Sequence, residues 1–337
     1  MGKKEITVYL ETITPLWTGD AWQENNKVRS NSILGGLRFW FSVYWKVVKR
    51  EEIEKLNDDG VPTVNLEEIA KEESFRVIAL KHLQYKNVTN DFDEEIDKVL
   101  EELKLPVPSR IFGCTGWRSR VNIRTELAEE KSLQKVNLEF KYPDDINSKF
   151  WINKNIFKEK NESKLYTNVR FKLKTSQYWW ENYLEEFFKF FSDKIVLMGG
   201  KASFGFGFVK MKVEGKDEGT TEHGKNKIVG FDNMYVYKAE KIDYNGSKDI
   251  LGFNLKYYLR KKEKVNIRNK QEIEEHFGKQ KKASKVYVSN LLKEDNNSIY
   301  LVIFNNPFDI NPIFKELAEE YFRVLEELRR READKNV

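Results

Sequence analysis

The chain has 337 residues, 40% hydrophobic, 34% charged and 14% aromatic, with a net charge of +5. No apolar run reaches the roughly 18 residues a membrane helix needs. The charged opening MGKKEITVYL is no secretory signal, and the one cysteine, Cys114, excludes an internal disulfide and points to a reducing cytoplasm.

Residues 4–13, KEITVYLETI, alternate as a strand, and residues 14–31 form a loop carrying Trp17, Trp22, Lys27 and Arg29. Ser30, Asn31 and Ser32 are plausible N-caps for a helix over 33–48. Leu37, Trp40, Phe41, Tyr44, Val47 and Val48 would share its apolar face, with Arg38, Ser42, Lys46 and Lys49 turned away. Residues 51–105 are acidic, read as mainly helical, and interrupt segments that belong together, which marks an insertion. A strand over 118–126, a polar loop over 141–165 and a strand over 167–176 follow. A helix over 178–197 would place Trp180, Leu184, Phe187, Phe188, Phe191 and Ile195 on one face, before a glycine-rich loop and a strand ending near residue 213.

This order is βαββαβ, the ferredoxin-like arrangement. Residues 214–227, EGKDEGTTEHGKNK, read as a linker. A second unit follows with strands near 233–240, 284–289 and 299–305 and helices near 250–262 and 312–331, stopping without a clear last strand. The expected fold is α+β: tandem ferredoxin-like (RRM-like) βαββαβ domains, 1–214 and 228–337, with antiparallel sheets and helices on one face. An internal repeat supports this. FGCTGWRSRVNI (112–123) aligns without gaps to FGKQKKASKVYV (277–288), and LRFWF (37–41) matches LKYYL (255–259).

The loop MGGKASFGFGFVKMKV, 198–213, holds four glycines within nine residues. It is no P-loop, because Ala202 follows Gly200-Lys201, Ile195 stands where the first glycine belongs, and the order is helix to strand. A dinucleotide GxGxxG fails at Lys210. GFGFV (205–209) fits the centre of the RNP1 pattern of RRM domains, but in the strand position of a fourth strand rather than a third. Glycines at Gly200 and Gly205 would let backbone N–H groups approach a phosphate. Lys201 would add charge, and Phe204 or Phe206 could stack a base. The alternative is an ordinary turn with both phenylalanines in the core.

Gly35-Gly36-Leu37-Arg38 opens the first helix and suits either a phosphate at Gly36 and Arg38 or tight helix packing. Arg118 and Arg120 would share a strand face with Asn122 and Arg124, opposite Ser119, Val121 and Ile123. That is an RNA-facing pattern or a solvated one. Ten bases against four acids fall between residues 260 and 285, among them Lys279, Lys281, Lys282 and Lys285 around the second FG motif. His82, His223 and His276 lie apart, so neither metal nor other cofactor is expected. Only His276, beside the basic stretch, is a candidate general base.

TPLWTGD, SILGGLRFWF, IFGCTGWRSRV and GGKASFGFG, in this order, resemble the RAMP superfamily of CRISPR systems, and within it the first-numbered RAMP subunit of the type III-B Cmr complex. The resemblance rests on Thr14 to Leu16, Gly19, Gly36 to Phe41 and Gly199 to Gly207. Ser42 replaces the usual arginine, and residues 51–105 and 141–165 match nothing in it. It implies two ferredoxin-like domains in a cytoplasmic ribonucleoprotein with other RAMP subunits and no membrane. It further implies contact with single-stranded guide and target RNA near the 3′ end of the guide, at Arg29 and the glycine-loop and basic positions above, with cleavage left to another subunit. A metal-independent endoribonuclease using His276, and a protein-interaction scaffold, are the competing readings.

Overall fold

Alternation of Ile6, Val8 and Leu10 with Glu5, Thr7 and Tyr9 gives strand β1 (Lys3–Thr12) one buried and one wet face. In this computed structural model the structure describes residues 2–19, 25–49, 92–103, 105–114, 117–132, 164–192, 194–215, 227–231, 234–242, 252, 255–256, 259–260, 274, 276–278, 284–290, 292, 295, 297–304 and 314–330. Residues 216–226 of the expected 214–227 linker, His82, His223 and most of the expected insertion and of the 141–165 loop lie outside them, while Lys227, expected in the linker, opens a strand.

Helix α1 is Ser30–Val47, followed by α2 (Phe92–Glu102), α3 (Val107–Phe112), β2 (Asn122–Ser132) and β3 (Lys164–Ser176). Helix α4 joins the stretches Gln177–Trp179, Trp180–Leu184 and Glu185–Phe191, the middle one a π-helical turn. Strands β4 (Ile195–Leu197) and β5 (Phe208–Val213) complete the first sheet. Its order is β2-β3-β1-β5-β4, antiparallel throughout. With β4 set aside as an added edge hairpin, that is the ferredoxin-like order.

Several local expectations need correction. The N-cap of α1 is Arg29, in extended conformation and without a side-chain cap. Ser30, Asn31 and Ser32 lie within the first turn, where the Ser30 hydroxyl approaches that of Thr125 at 3.4 Å. Ser42 is buried, because its hydroxyl can donate to the Arg38 carbonyl at 2.8 Å, while Val48 past the helix end is exposed. Strand β2 begins at Asn122, so Arg118 and Arg120 sit in a turn rather than on a strand face. The aromatic helix stops at Phe191, where the Lys194 N–H donates to the Phe191 carbonyl and the Lys194 ammonium to that of Phe190. Ile195 is buried as expected, but from β4.

The second sheet holds β6 (Lys227–Phe231), β7 (Met234–Ala239), β8 (Val286–Val288) and β9 (Ile299–Phe304) in the order β6-β7-β9-β8. Strand β6 occupies the edge place beside β7 that a last ferredoxin-like strand would take. Its last residue, Phe231, pairs with Met234, the first of β7. Helix α5 (Phe314–Arg330) covers one face. There Val286, Val288, Leu301 and Ile303 pack with Leu255, Leu259, Phe277, Tyr321 and Leu325. The opposite face, with Met234, Val236, Val302 and Phe304, joins the core of the first sheet. Phe304 lies 5.2 Å from Trp40 and 5.8 Å from Phe39, and Trp40 lies 5.7 Å from Phe191, ring centre to ring centre. Helix α1 therefore carries aromatic contacts to α4 of the first unit and to β9 of the second sheet.

The repeat extends to individual hydrogen bonds. The Arg120 N–H donates to the Ile111 carbonyl at 2.7 Å, and the Lys285 N–H to the His276 carbonyl at 2.9 Å. Ser119 accepts from the Val121 N–H and donates to the Val121 carbonyl, as Ser284 does with Val286. Phe112 and Phe277 are buried, and Gly113 and Gly278 both have positive φ. Since each serine satisfies a buried backbone N–H, Ser119→Ala and Ser284→Ala should each destabilise by about 1–2 kcal/mol. Parallel urea titrations check this, and equal costs at the two sites are the expected result.

Helix α2 docks through charge. Asp97, buried, receives the Arg110 guanidinium of α3 at 2.9 Å and the hydroxyl of Tyr178 at 2.9 Å, with the Tyr183 hydroxyl closer still. Burial first, and then the Asp97 carboxylate, push both phenols well above the ordinary tyrosine range.

Candidate nucleic-acid interface

Three segments far apart in sequence interlock at one edge of the first sheet. The Gly200 N–H donates to the Trp17 carbonyl at 2.7 Å, and the Gly207 N–H to the Pro15 carbonyl at 2.9 Å. Gly36 of α1 lies under the Met198 side chain, whose sulfur would be 2.1 Å from a Cβ placed there. Close packing therefore accounts for Gly36, while the neighbouring Gly35 opens to solvent with nothing near it. The Trp40 indole donates to the Leu197 carbonyl at 2.7 Å and fixes α1 against the start of the loop. Arg29 belongs to the same edge, since its N–H donates to Thr18 Oγ1, one residue beyond Trp17.

The loop divides into two halves. Gly199 and Gly200 are exposed, and Lys201, Ala202 and Ser203 are half-buried. Lys201 takes a left-handed conformation, φ 61°, and its ammonium lies 5.9 Å from the Trp17 ring centre and 5.8 Å from that of Phe204. The second half turns inward. Phe204 is 6% exposed and Phe206 is 1% exposed, the latter packed on Trp17 at 6.1 Å. The expectation that either ring stacks a base is therefore corrected: both are occupied by packing, and neither presents an open face.

Gly205 explains why this half needs glycine. At φ +91°, a Cβ there would meet Asn290 Oδ1 at 2.4 Å, its nitrogen at 2.8 Å and the Val288 carbonyl at 2.9 Å. The glycine is the point where the loop lies against the backbone of the second sheet, with the Asn290 N–H donating to the Gly205 carbonyl at 3.4 Å. Asn290 was not legible as a functional residue. Nothing in its local sequence signals a partner 85 or so positions away.

The other expected bases form a second group around α3. Arg38 donates from Nη2 to Ser109 Oγ at 3.3 Å, and burial holds its guanidinium below the usual arginine range. Arg120, lowered for the same reason, lies with its guanidinium carbon 4.2 Å from the Trp117 ring centre. Arg118 is exposed beside them, and burial pushes the Cys114 thiol up. Lys285 is half-buried in the equivalent turn of the second unit, while Lys279, Lys281 and Lys282 lie outside the described residues.

The open face of the first sheet is a weaker place for an anion. Its bases meet acids across the strands: Lys172 and Lys174 with Glu5, Lys172 and Arg170 with Glu126, and Lys212 with Glu11. Such pairs add little stability but cancel the local field. His276, the candidate base, is buried with Nδ1 3.3 Å from the Tyr321 hydroxyl. No group of three or more metal-ligating side chains occurs among the described residues.

A family model described as the RAMP superfamily matches residues 9–210. Among solved structures, the apo crystal structure of Cmr1 from Pyrococcus furiosus aligns at 17% identity with a TM-score of 0.40, covering 94% of this chain and 91% of that one. A comparison with curated proteins returned no match. The matched span takes in the end of β1, the TPLW loop, α1, the first FG turn and the glycine loop, more than half of the chain, and on that ground the chain belongs to the RAMP superfamily.

Proposed function

We propose that the chain is a non-catalytic, cytoplasmic RNA-binding subunit of a type III-B CRISPR RNA-silencing complex of the Cmr kind, acting beside other RAMP subunits. It would contact single-stranded guide and target RNA near the 3′ end of the guide. The two halves would be domains 1–214 and 228–337. The observation that carries this reading is the half-exposed Lys201, set beside open Gly199 and Gly200 where the TPLW loop, α1 and the glycine loop interlock. A lysine on a rigid, backbone-rich edge can hold a phosphate without ordering cost on binding. No helix among the described residues is long and apolar enough to cross a membrane.

Fluorescence anisotropy of single-stranded RNA across a salt series tests it. Lys201→Ala is expected to weaken binding for every RNA sequence alike and to lower the salt slope by about one ion, with the RNA intact on a gel. Wild-type affinity and slope in the folded variant would remove the loop from the interface. Cleavage in chelator would favour the endoribonuclease reading, which would need a base other than buried His276. No RNA affinity at low salt, alone or assembled, would favour the scaffold.

A further inference from the structure

We propose that Asn290 is a positioning residue for RNA: from the second half of the chain it holds the turn that presents Lys201, and so sets the share of molecules ready to bind; this rests on the RNA-binding reading above. Lys201 and Gly205 are both left-handed, at φ 61° and 91°, and bracket a single 3-10 turn, Ala202–Phe204. Inside it the Phe204 N–H donates to the Lys201 carbonyl at 2.9 Å, and the Gly205 N–H to that of Ala202 at 3.0 Å. One turn with two such bonds, entered through a left-handed lysine, is not stable by itself. The first half fixes the loop on either side of it, at Gly200 through Trp17 and at Gly207 through Pro15. The turn itself leans on the second half.

Asn290 makes this contact with both its backbone and its side chain. Its N–H donates to the Gly205 carbonyl at 3.4 Å, and its Oδ1 accepts from the buried Gly252 N–H at 2.9 Å. The same Oδ1 is the atom that a Cβ on Gly205 would meet at 2.4 Å, so one oxygen lies against the loop and against Gly252 at once. The asparagine is itself held. Ser289 Oγ donates to the Asn290 carbonyl at 2.9 Å and accepts from the Tyr300 N–H at 2.7 Å, while the Ser289 N–H donates to the Tyr300 carbonyl at 2.8 Å. A chain of bonds therefore runs from β9 through Ser289 and Asn290 to Gly205, and through the turn to Lys201. Without the side chain, the buried Gly252 N–H loses its acceptor and residue 290 is no longer fixed under Gly205. Lys201 keeps its charge, but the conformation that presents it is populated less.

The test uses the full chain and a single-stranded RNA, with anisotropy measured across a salt series. Wild type is compared with Lys201→Ala, Asn290→Ala, Asn290→Asp and the double variant Lys201→Ala with Asn290→Ala. Asn290→Ala should bind about fivefold more weakly, the loss when the competent share falls to about one-fifth. Its salt slope should match wild type, because the bound complex keeps every ion contact, whereas Lys201→Ala should lower the slope by about one. The double variant should bind no more than about twofold more weakly than Lys201→Ala, since Asn290 acts through that lysine. Asn290→Asp keeps the Oδ1 acceptor and should return to within about twofold of wild type. Losses that multiply in the double variant, or an Asn290→Asp as weak as Asn290→Ala, would overturn the proposal. If Asn290→Ala matches wild type while Lys201→Ala is weakened, the RNA reading stands and the positioning role does not. If wild type binds no RNA at any salt, both readings fall together. Should Asn290→Ala not fold, hydrogen exchange of the wild-type chain decides. RNA should slow the amides of Gly252 and of residues 286–290, the reciprocal of their effect on binding, and unchanged exchange there overturns the proposal.

Discussion

Asp97→Ala should destabilise the chain by about 3–5 kcal/mol, the range for breaking a buried ion pair from one side. The carboxylate is the only group in the described network that serves α2, α3 and α4 at once, through Arg110, Tyr178 and Tyr183. Without it, the Arg110 guanidinium stays buried with Glu101, at 3.9 Å, as its remaining ion-pair partner among the described residues, and two phenols lose their acceptor. Asp97→Asn should fall between, since an amide oxygen still accepts hydrogen bonds but carries no charge. Lys98→Ala, one residue on but exposed and paired with Glu94 and Glu95 of its own helix, should leave stability unchanged. Urea unfolding of the three variants checks the ranking. Equal midpoints for Asp97→Ala and Lys98→Ala would show that the Asp97 network adds nothing to the apolar docking of α2 through Ile96, Val99 and Leu100.

The second large effect concerns the seam. Gly205→Val should uncouple the two sheets. A β-carbon at φ +91° costs about 1–2 kcal/mol by conformation alone. The clash adds more, because its partners are the backbone of Val288 and Asn290 rather than a yielding side-chain tip. Unfolding of the variant should split into two transitions, with faster proteolysis between the two halves. Gly207→Val is the matched control. Its Cβ would strike the Met198 carbonyl at 2.1 Å, within the first unit, so it should lower stability without splitting the transition. A single sharp transition in Gly205→Val at the wild-type midpoint would refute the coupling.

The strands and the two-unit order were legible because period-two alternation at Ile6, Val8 and Leu10, or Val169, Phe171 and Leu173, has one physical cause, a half-buried sheet. The FG repeat was legible because its serine and its positive-φ glycine are local chemistry that any copy must retain. The interior of the glycine loop was not. Phe204 and Phe206 read as a stacking surface only while the second sheet is out of view, and the residues that bury them come from elsewhere in the chain. Strand β6 escaped for a topological reason, since an edge position can be filled from either end of a unit.

The two-faced second sheet bears on how the polypeptide matures. On the ribosome β6 emerges before its sheet partners β7, β8 and β9, and among the described residues the face bearing Met234, Val236, Val302 and Phe304 belongs to the core of the first half. Its cover is α1, translated long before and already seated on the first sheet. The first half thus acts as a built-in template on which the second half is completed. Expressed without the first half, the second half is therefore expected to leave this apolar face exposed and to aggregate.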